Sequence, residues 1–157
     1  MLFRSHAEIR TYFEKDLPLV RCGPELAQVW TNILSNACDA IELARGEGLG
    51  KIEITTAATP DGCVVITLAN DGPRIPEDIL GKVFDPFFTT KPQGKGMGLG
   101  LSICAGIVRR AGGTITARNE PDRVAFQVIF PAAGKEDLAT CGAAHEFAGE
   151  DPLEGGN

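Results

Sequence analysis

Apolar residues recur along this chain with two different periods, and the switches between them predict the order of its elements. Residues 7–13, AEIRTYF, alternate apolar and polar positions and predict an edge strand that ends by Asp16-Leu17-Pro18. Gly23-Pro24-Glu25 then opens a long helix, with proline in a first-turn position and an acid at the positive end. Along it Leu26, Val29, Trp30, Ile33, Leu34, Ala37, Ala40, Ile41 and Ala44 keep the three-and-four spacing of a core-facing stripe. The period returns to two in KIEITTA (51–57) and CVVITLAN (63–70), a hairpin turned by Thr59-Pro60-Asp61-Gly62.

NDGPRIP (70–76) is rich in turn formers, and Pro76-Glu77-Asp78 starts a short helix through about Val83. FDPFFTTK (84–91) places three phenylalanines around Pro86, either as a plug against the core or as a hinge or partner surface. A second long helix runs from Gly98 to about Ala111, with Leu101, Ile103, Cys104, Ile107 and Val108 toward the core. Arg109 and Arg110 suit its negative end, and Gly112-Gly113 stop it. TITARN (114–119), the turn EPDR and VAFQVIF (124–130) form a last hairpin. Hairpins alternating with helices predict an α+β two-layer sandwich: a mixed, mostly antiparallel sheet of about five strands with the helices on one face.

A chain of 157 residues that is 43% hydrophobic and 23% charged can bury one core. No apolar run is long enough to span a bilayer and no signal peptide opens the chain, so a cytoplasmic domain without direct membrane contact is expected. The five cysteines (22, 38, 63, 104, 141) are widely spaced and read as reduced, mostly buried thiols. Of the net charge of −6, residues 134–157 carry −5, from six acids and Lys135. The rest is nearly neutral, which gives no footprint for nucleic acid. Residues 1–133 are therefore expected to form the domain, with 134–157 an acidic disordered tail or linker.

Two stretches carry candidate chemistry. In GKGMGLGLSICAGIV (94–108), glycines at alternate positions run into a helix start, where unpaired N–H groups and the macrodipole favour a polyphosphate. The match fits neither a Walker A loop nor the dinucleotide fingerprint, and a plain surface loop is the competing reading. On the first helix, Asn32, Asn36 and Asp39 share one face, within roughly 60° of each other. A solvated face is the ordinary explanation. Yet Asn and Asp each cost a helix interior about half a kcal/mol relative to Ala, and short oxygen-bearing side chains on a rigid helix suit magnesium or its water shell. His6, in SHAEIRT, invites comparison with a phospho-acceptor, but Pro18 closes any helix around it within twelve residues, so it is read as lying on a strand.

Taken in order, NILSNACDAI, NDGPRIP, FDPFFTTK and GKGMGLGLSI resemble the four boxes of the catalytic ATP-binding domain of sensor histidine kinases, in the GHKL superfamily with its Bergerat-type fold. The resemblance covers about residues 5–131. It implies that Asn36 helps hold Mg2+ between the phosphates of ATP and that Asn32 lies one turn back, beside the triphosphate. It further implies nucleotide contacts from Asp39, Asn70, Gly72, Ile75, Thr90, Lys91, Lys95, Gly96, Met97, Gly98, Leu99, Gly100 and Leu101. Residues 88–98 would be a lid ordered by the γ-phosphate. The implied activity is presentation of the γ-phosphate to a histidine on a separate helical dimerisation domain, with a response regulator as the further partner. That acceptor domain is not expected in this chain, which reads as a fragment of a larger kinase, with membrane anchoring of the parent protein left open.

Four positions depart from the family pattern, one of them Asp39, which stands three after Asn36 where a lysine or another residue is often found. Asn70 stands at the aspartate of Asp-x-Gly-x-Gly, Arg74 at its second glycine, and Val124 at a customary threonine of the last strand. With Val124 there, no neighbouring hydroxyl is left to fix the Asn70 amide. These departures keep a nucleotide-weak pseudokinase, acting as a docking module, as the alternative function. An anti-sigma-type or chaperone-type ATPase relative would lack FDPFFTTK.

Overall fold

The structure is a computed structural model and describes residues 2–3, 7–45, 48–89 and 98–134. In chain order the elements are β1 (Leu2–Phe3), β2 (Ala7–Phe13), α1 (Leu26–Arg45), β3 (Gly50–Ala58), β4 (Cys63–Asn70), α2 (Glu77–Leu80), α3 (Gly100–Arg110), β5 (Thr114–Asn119) and β6 (Val124–Pro131). His6 and the expected tail from 135 onward lie outside the described residues.

The strands form one sheet in the order β1-β2-β3-β4-β6-β5. Only β2 and β3 run parallel, because α1 connects them as a crossover; every other pair is antiparallel. This is the mixed two-layer sandwich that the alternation of hairpins and helices predicts. One detail differs at the edge. β2 is covered by the two-residue β1, with Leu2 opposite Glu8 and Phe3 opposite Ala7, a strand too short to show any period.

Core packing explains the helix stripes. Val29, Ile33, Ala37 and Ile41 of α1 and Cys104, Ile107 and Val108 of α3 bury against Ile52, Leu68, Val124, Phe126, Val128 and Phe130 of the sheet. Truncating one of the larger residues, such as Ile33 to alanine, would cost about 2–5 kcal/mol. α1 begins at Leu26, so Pro24 and Glu25 form a turn ahead of it and not its first turn. Ile103 departs from its expected core position and is 40% exposed. It sits about 100° around the helix from Cys104, off the seam that Cys104, Ile107 and Val108 press against the sheet.

The β3–β4 turn is built as its composition predicts. Thr59 Oγ1 accepts the Cys63 N–H at 3.0 Å and the Thr59 carbonyl accepts the Gly62 N–H at 2.8 Å. At the end of α3, the N–H groups of Gly112 and Gly113 return to the carbonyls of Arg109 and Val108. The cysteines correct one expectation. Cys38 and Cys104 are buried free thiols and Cys22 an exposed one, but Cys63 is disulfide-bonded, a pairing that sequence spacing could not disclose.

Candidate nucleotide site

The amide face of α1 is turned toward α3. Asn32, Asn36 and Asp39 are each half-buried, which sets them apart from a fully solvated stripe, and Asn36 and Asp39 both take part in interactions. Asn32 Nδ2 donates to the Gly100 carbonyl at 3.2 Å and lies 3.6 Å from Cys104 Sγ, so its side chain ties α1 to the opening turn of α3. That turn begins after Leu99, and no side chain among the described residues caps it. The Leu99 carbonyl accepts from Ser102 Oγ and from the Ile103 N–H, both at 2.9 Å. Amide face and uncapped helix start are thus neighbours, which their separation of nearly seventy residues does not reveal. Burial pushes the Cys104 thiol above its ordinary pKa, against a smaller opposing effect of its hydrogen bond with Asn32. It stays a neutral packing group.

Asn70 ends β4 almost fully buried, opposite Val124 in register. Its Oδ1 accepts the Gly72 N–H at 3.1 Å, so a backbone group of the next turn orients the amide. The expectation that nothing fixes this amide is therefore corrected: the constraint comes from two residues along the chain, not from position 124. Gly72 is required by close approach. A Cβ there would lie 2.7 Å from Asn70 Oδ1 and 3.0 Å from the Cβ of Ala40 on α1.

The loop after Asn70 is held at both ends. Asp71 accepts the Lys51 N–H and an Arg45 guanidinium hydrogen, each at 2.8 Å, joining the end of β4 to β3 and to the end of α1. At the far end, Asn119 accepts the Ile75 N–H at 3.0 Å and donates to the Ile75 carbonyl at 2.7 Å. Sequence reasoning missed both Asp71 and Asn119. Asp71 lies inside the NDGPRIP box and was open to notice; Asn119 carries no signal beyond an amide at a strand end. Arg74, where the family pattern has glycine, points to the surface in a 3.9 Å ion pair with Glu77.

The phenylalanine loop is at once plug and surface. Phe84 meets Phe126 edge-on at 6.3 Å, whereas Phe87 is 76% exposed and holds a left-handed φ of 64°. The backbone of Gly98 packs onto this loop. Gly98 has φ of +66°, and a Cβ on it would come within 2.6 Å of the Phe87 carbonyl carbon and 2.7 Å of the Phe88 oxygen. Leu99, Gly100 and Leu101 follow it into α3, while Thr90, Lys91, Lys95, Gly96 and Met97 lie outside the described residues, as does most of the expected lid.

Among the described residues, no group of three or more His, Cys, Asp or Glu side chains is arranged to hold a metal. Magnesium bound through a triphosphate needs only one or two protein oxygens, which the amide face of α1 can supply. A cavity of about 510 Å3 lies at the opposite end of α3, lined by Arg21, Glu25, Arg110 and Gly112, away from this constellation. No helix among the described residues is long and apolar enough to cross a membrane.

Comparison with known proteins places these residues in a family. The family model described as histidine kinase-, DNA gyrase B-, and HSP90-like ATPase matches residues 23–134. The two-component sensor PprA of Pseudomonas aeruginosa is 38% identical over 110 residues, 69% of this chain and 12% of PprA. The sensory histidine kinase/phosphatase NtrB of Rhizobium meliloti is 32% identical over 146 residues, 83% of this chain and 37% of NtrB. The chain thus spans well under half the length of these curated relatives. Among solved structures, the nucleotide-free catalytic domain of histidine kinase ThkA is 35% identical with a TM-score of 0.66, covering 80% of this chain and 79% of that one. ThkA has also been solved in complex with the response regulator protein TrrA; that match is 35% identical with a TM-score of 0.58, covering 79% of this chain and 34% of the other. The chain belongs to the histidine kinase-, DNA gyrase B- and HSP90-like ATPase family, as a GHKL ATP-binding domain of the sensor histidine kinase type.

Proposed function

We propose that this domain binds Mg-ATP between α1 and the start of α3 and presents the γ-phosphate to a histidine on a separate helical domain, in a two-component signalling pathway. The observation that carries the reading is the Asn32–Gly100 hydrogen bond, which sets an amide-rich helix face beside an uncapped helix start. In this reading Asn36 supplies the protein oxygen to magnesium, Asn32 braces the helix start, and the N–H groups opening α3 receive phosphate oxygens. Lys91 and Lys95 add charge from the lid. Bound magnesium would neutralise and template the phosphates, and the chain's own contribution is placement, which is most of what phosphoryl transfer asks of a protein. Asn70, Gly72 and Ile75 face the base.

A response regulator is the proposed further partner, by analogy with the ThkA–TrrA complex. We place the domain in the cytoplasm of a larger kinase. The docking-module alternative draws on Asn70, Arg74 and Val124, which depart from the family pattern at the base. Thermal melting separates the two readings. Mg-ATP at a hundred times its Kd should add about 2.7 kcal/mol of stability, and an unmoved transition would favour the docking module.

A further inference from the structure

After Asp71, which still bonds to Lys51 of β3, residues 72–76 leave the sheet as a loop, yet one side chain treats this loop as though it were a strand. Asn119, the last residue of β5, accepts the Ile75 N–H at 3.0 Å and donates to the Ile75 carbonyl at 2.7 Å. That is the two-bond exchange of an antiparallel pair, made by an amide side chain with one acceptor and two donor hydrogens. The second hydrogen goes to Glu77 Oε1 at 3.0 Å, at the start of α2. Every polar group of the amide is therefore engaged, and each partner lies in the segment that carries Ile75.

The register gives the clamp its meaning. Asn119 stands opposite Val124, and Val124 stands opposite Asn70, so the three cross the sheet in one row. At about 4.8 Å per strand, Asn119 itself stands roughly 10 Å across the sheet from Asn70, and it holds Ile75 from there. Asp71 holds the other end of the same loop.

We propose that Asn119 is the positioning residue of the base end of the site, setting the distance between the loop 72–75 and the Asn70–Val124 row so that the slot is formed before nucleotide arrives. This rests on the reading of that loop as the base-binding segment. Without the clamp, the loop must be ordered at the moment of binding, and that cost appears as lost affinity.

The test uses the full chain with Asn119→Ala and the near-isosteric Asn119→Asp, which keeps the acceptor for the Ile75 N–H and loses both donations. Amide exchange of the nucleotide-free protein should quicken at residues 74–76 in Asn119→Ala and stay unchanged along β5 and β6. Calorimetry should show Mg-ATP affinity falling about tenfold in Asn119→Ala and at least as far in Asn119→Asp, whose carboxylate would face the Ile75 carbonyl and the Glu77 carboxylate. Faster exchange throughout β5 and β6, or a Kd within twofold of the native value, would overturn the positioning role and leave Asn119 a structural residue. Should Asn119→Ala fail to fold, the aspartate variant carries both measurements with the same criteria. A native chain that binds no Mg-ATP would overturn the reading of the loop itself and the positioning role with it, whereas native binding with unchanged variants overturns the positioning role alone.

Discussion

Asn70 Oδ1 accepts the Gly72 N–H at 3.1 Å, and this one hydrogen bond decides which half of the amide is left for a ligand. The Nδ2 group makes no hydrogen bond among the described residues and can only donate. A donor at this place pairs with adenine N1 or guanine O6, whereas an aspartate would accept from adenine N6 and repel guanine O6. Asn70→Asp should therefore raise the preference for ATP over GTP by about tenfold to a hundredfold, the worth of one hydrogen bond to a charged group, roughly 1.5–3 kcal/mol. Calorimetric titration of both chains with both nucleotides measures it. An unchanged ratio would mean that Asn70 does not face the base.

Asn36→Ala is expected to remove most magnesium-dependent nucleotide binding while moving stability by less than about 1 kcal/mol, since the residue is half-buried on α1 and outside the apolar seam. Titration with ATP, with and without magnesium, beside a melting curve tests both halves. Native-like binding would take the metal role from this residue.

Two glycines at the start of α3 should respond in opposite ways to alanine. Gly98→Ala meets a left-handed φ and a backbone contact at 2.6 Å, and should cost about 2 kcal/mol or more while parting the phenylalanine loop from the helix start. Gly100→Ala meets nothing closer than 3.9 Å on a helical backbone and should be neutral or stabilising by up to about 1 kcal/mol. Equal denaturation midpoints for the two variants would contradict this account of the junction.

The β5–β6 turn should carry a small acid-sensitive contribution. Burial works against the Glu120 carboxylate, but hydrogen bonds and charge from Arg123 and Arg118 outweigh it and hold its pKa below the ordinary 4.5. A depressed folded pKa stabilises above the unfolded value and stops doing so as pH falls through the folded one. Native chain should therefore exceed Glu120→Gln by no more than about 1 kcal/mol at neutral pH, with the difference shrinking as pH falls below 4.5 and gone once the pH lies below the depressed folded pKa. A difference that persists in acid would exclude the carboxylate's charge as its source.

The elements most legible in the sequence are those whose packing repeats. The stripe Val29, Ile33, Ala37, Ile41 and the hairpin around Thr59 to Gly62 read directly, because burial on one face imposes a period and a turn imposes composition. β1 has two residues and no period to read. Ile103 has the apolar chemistry of a core position and falls off the seam by one helical step, which only the seam's direction reveals. At the site, the nucleotide boxes were legible as short motifs, but the parts that hold them were not. The Asn32–Gly100 tie, the Asp71 strap and the Asn119 clamp join residues 20 to 68 positions apart, and each rests on one polar side chain that leaves no pattern in the chain.

The central claim is that a magnesium-bound adenine nucleotide sits between the amide face of α1 and the opening turn of α3. Isothermal titration of the native chain with ATP in magnesium, repeated with the metal chelated, tests it most directly. The account predicts one nucleotide per chain and a marked loss of affinity on chelation. Absence of binding in magnesium, or affinity indifferent to the metal, would contradict it.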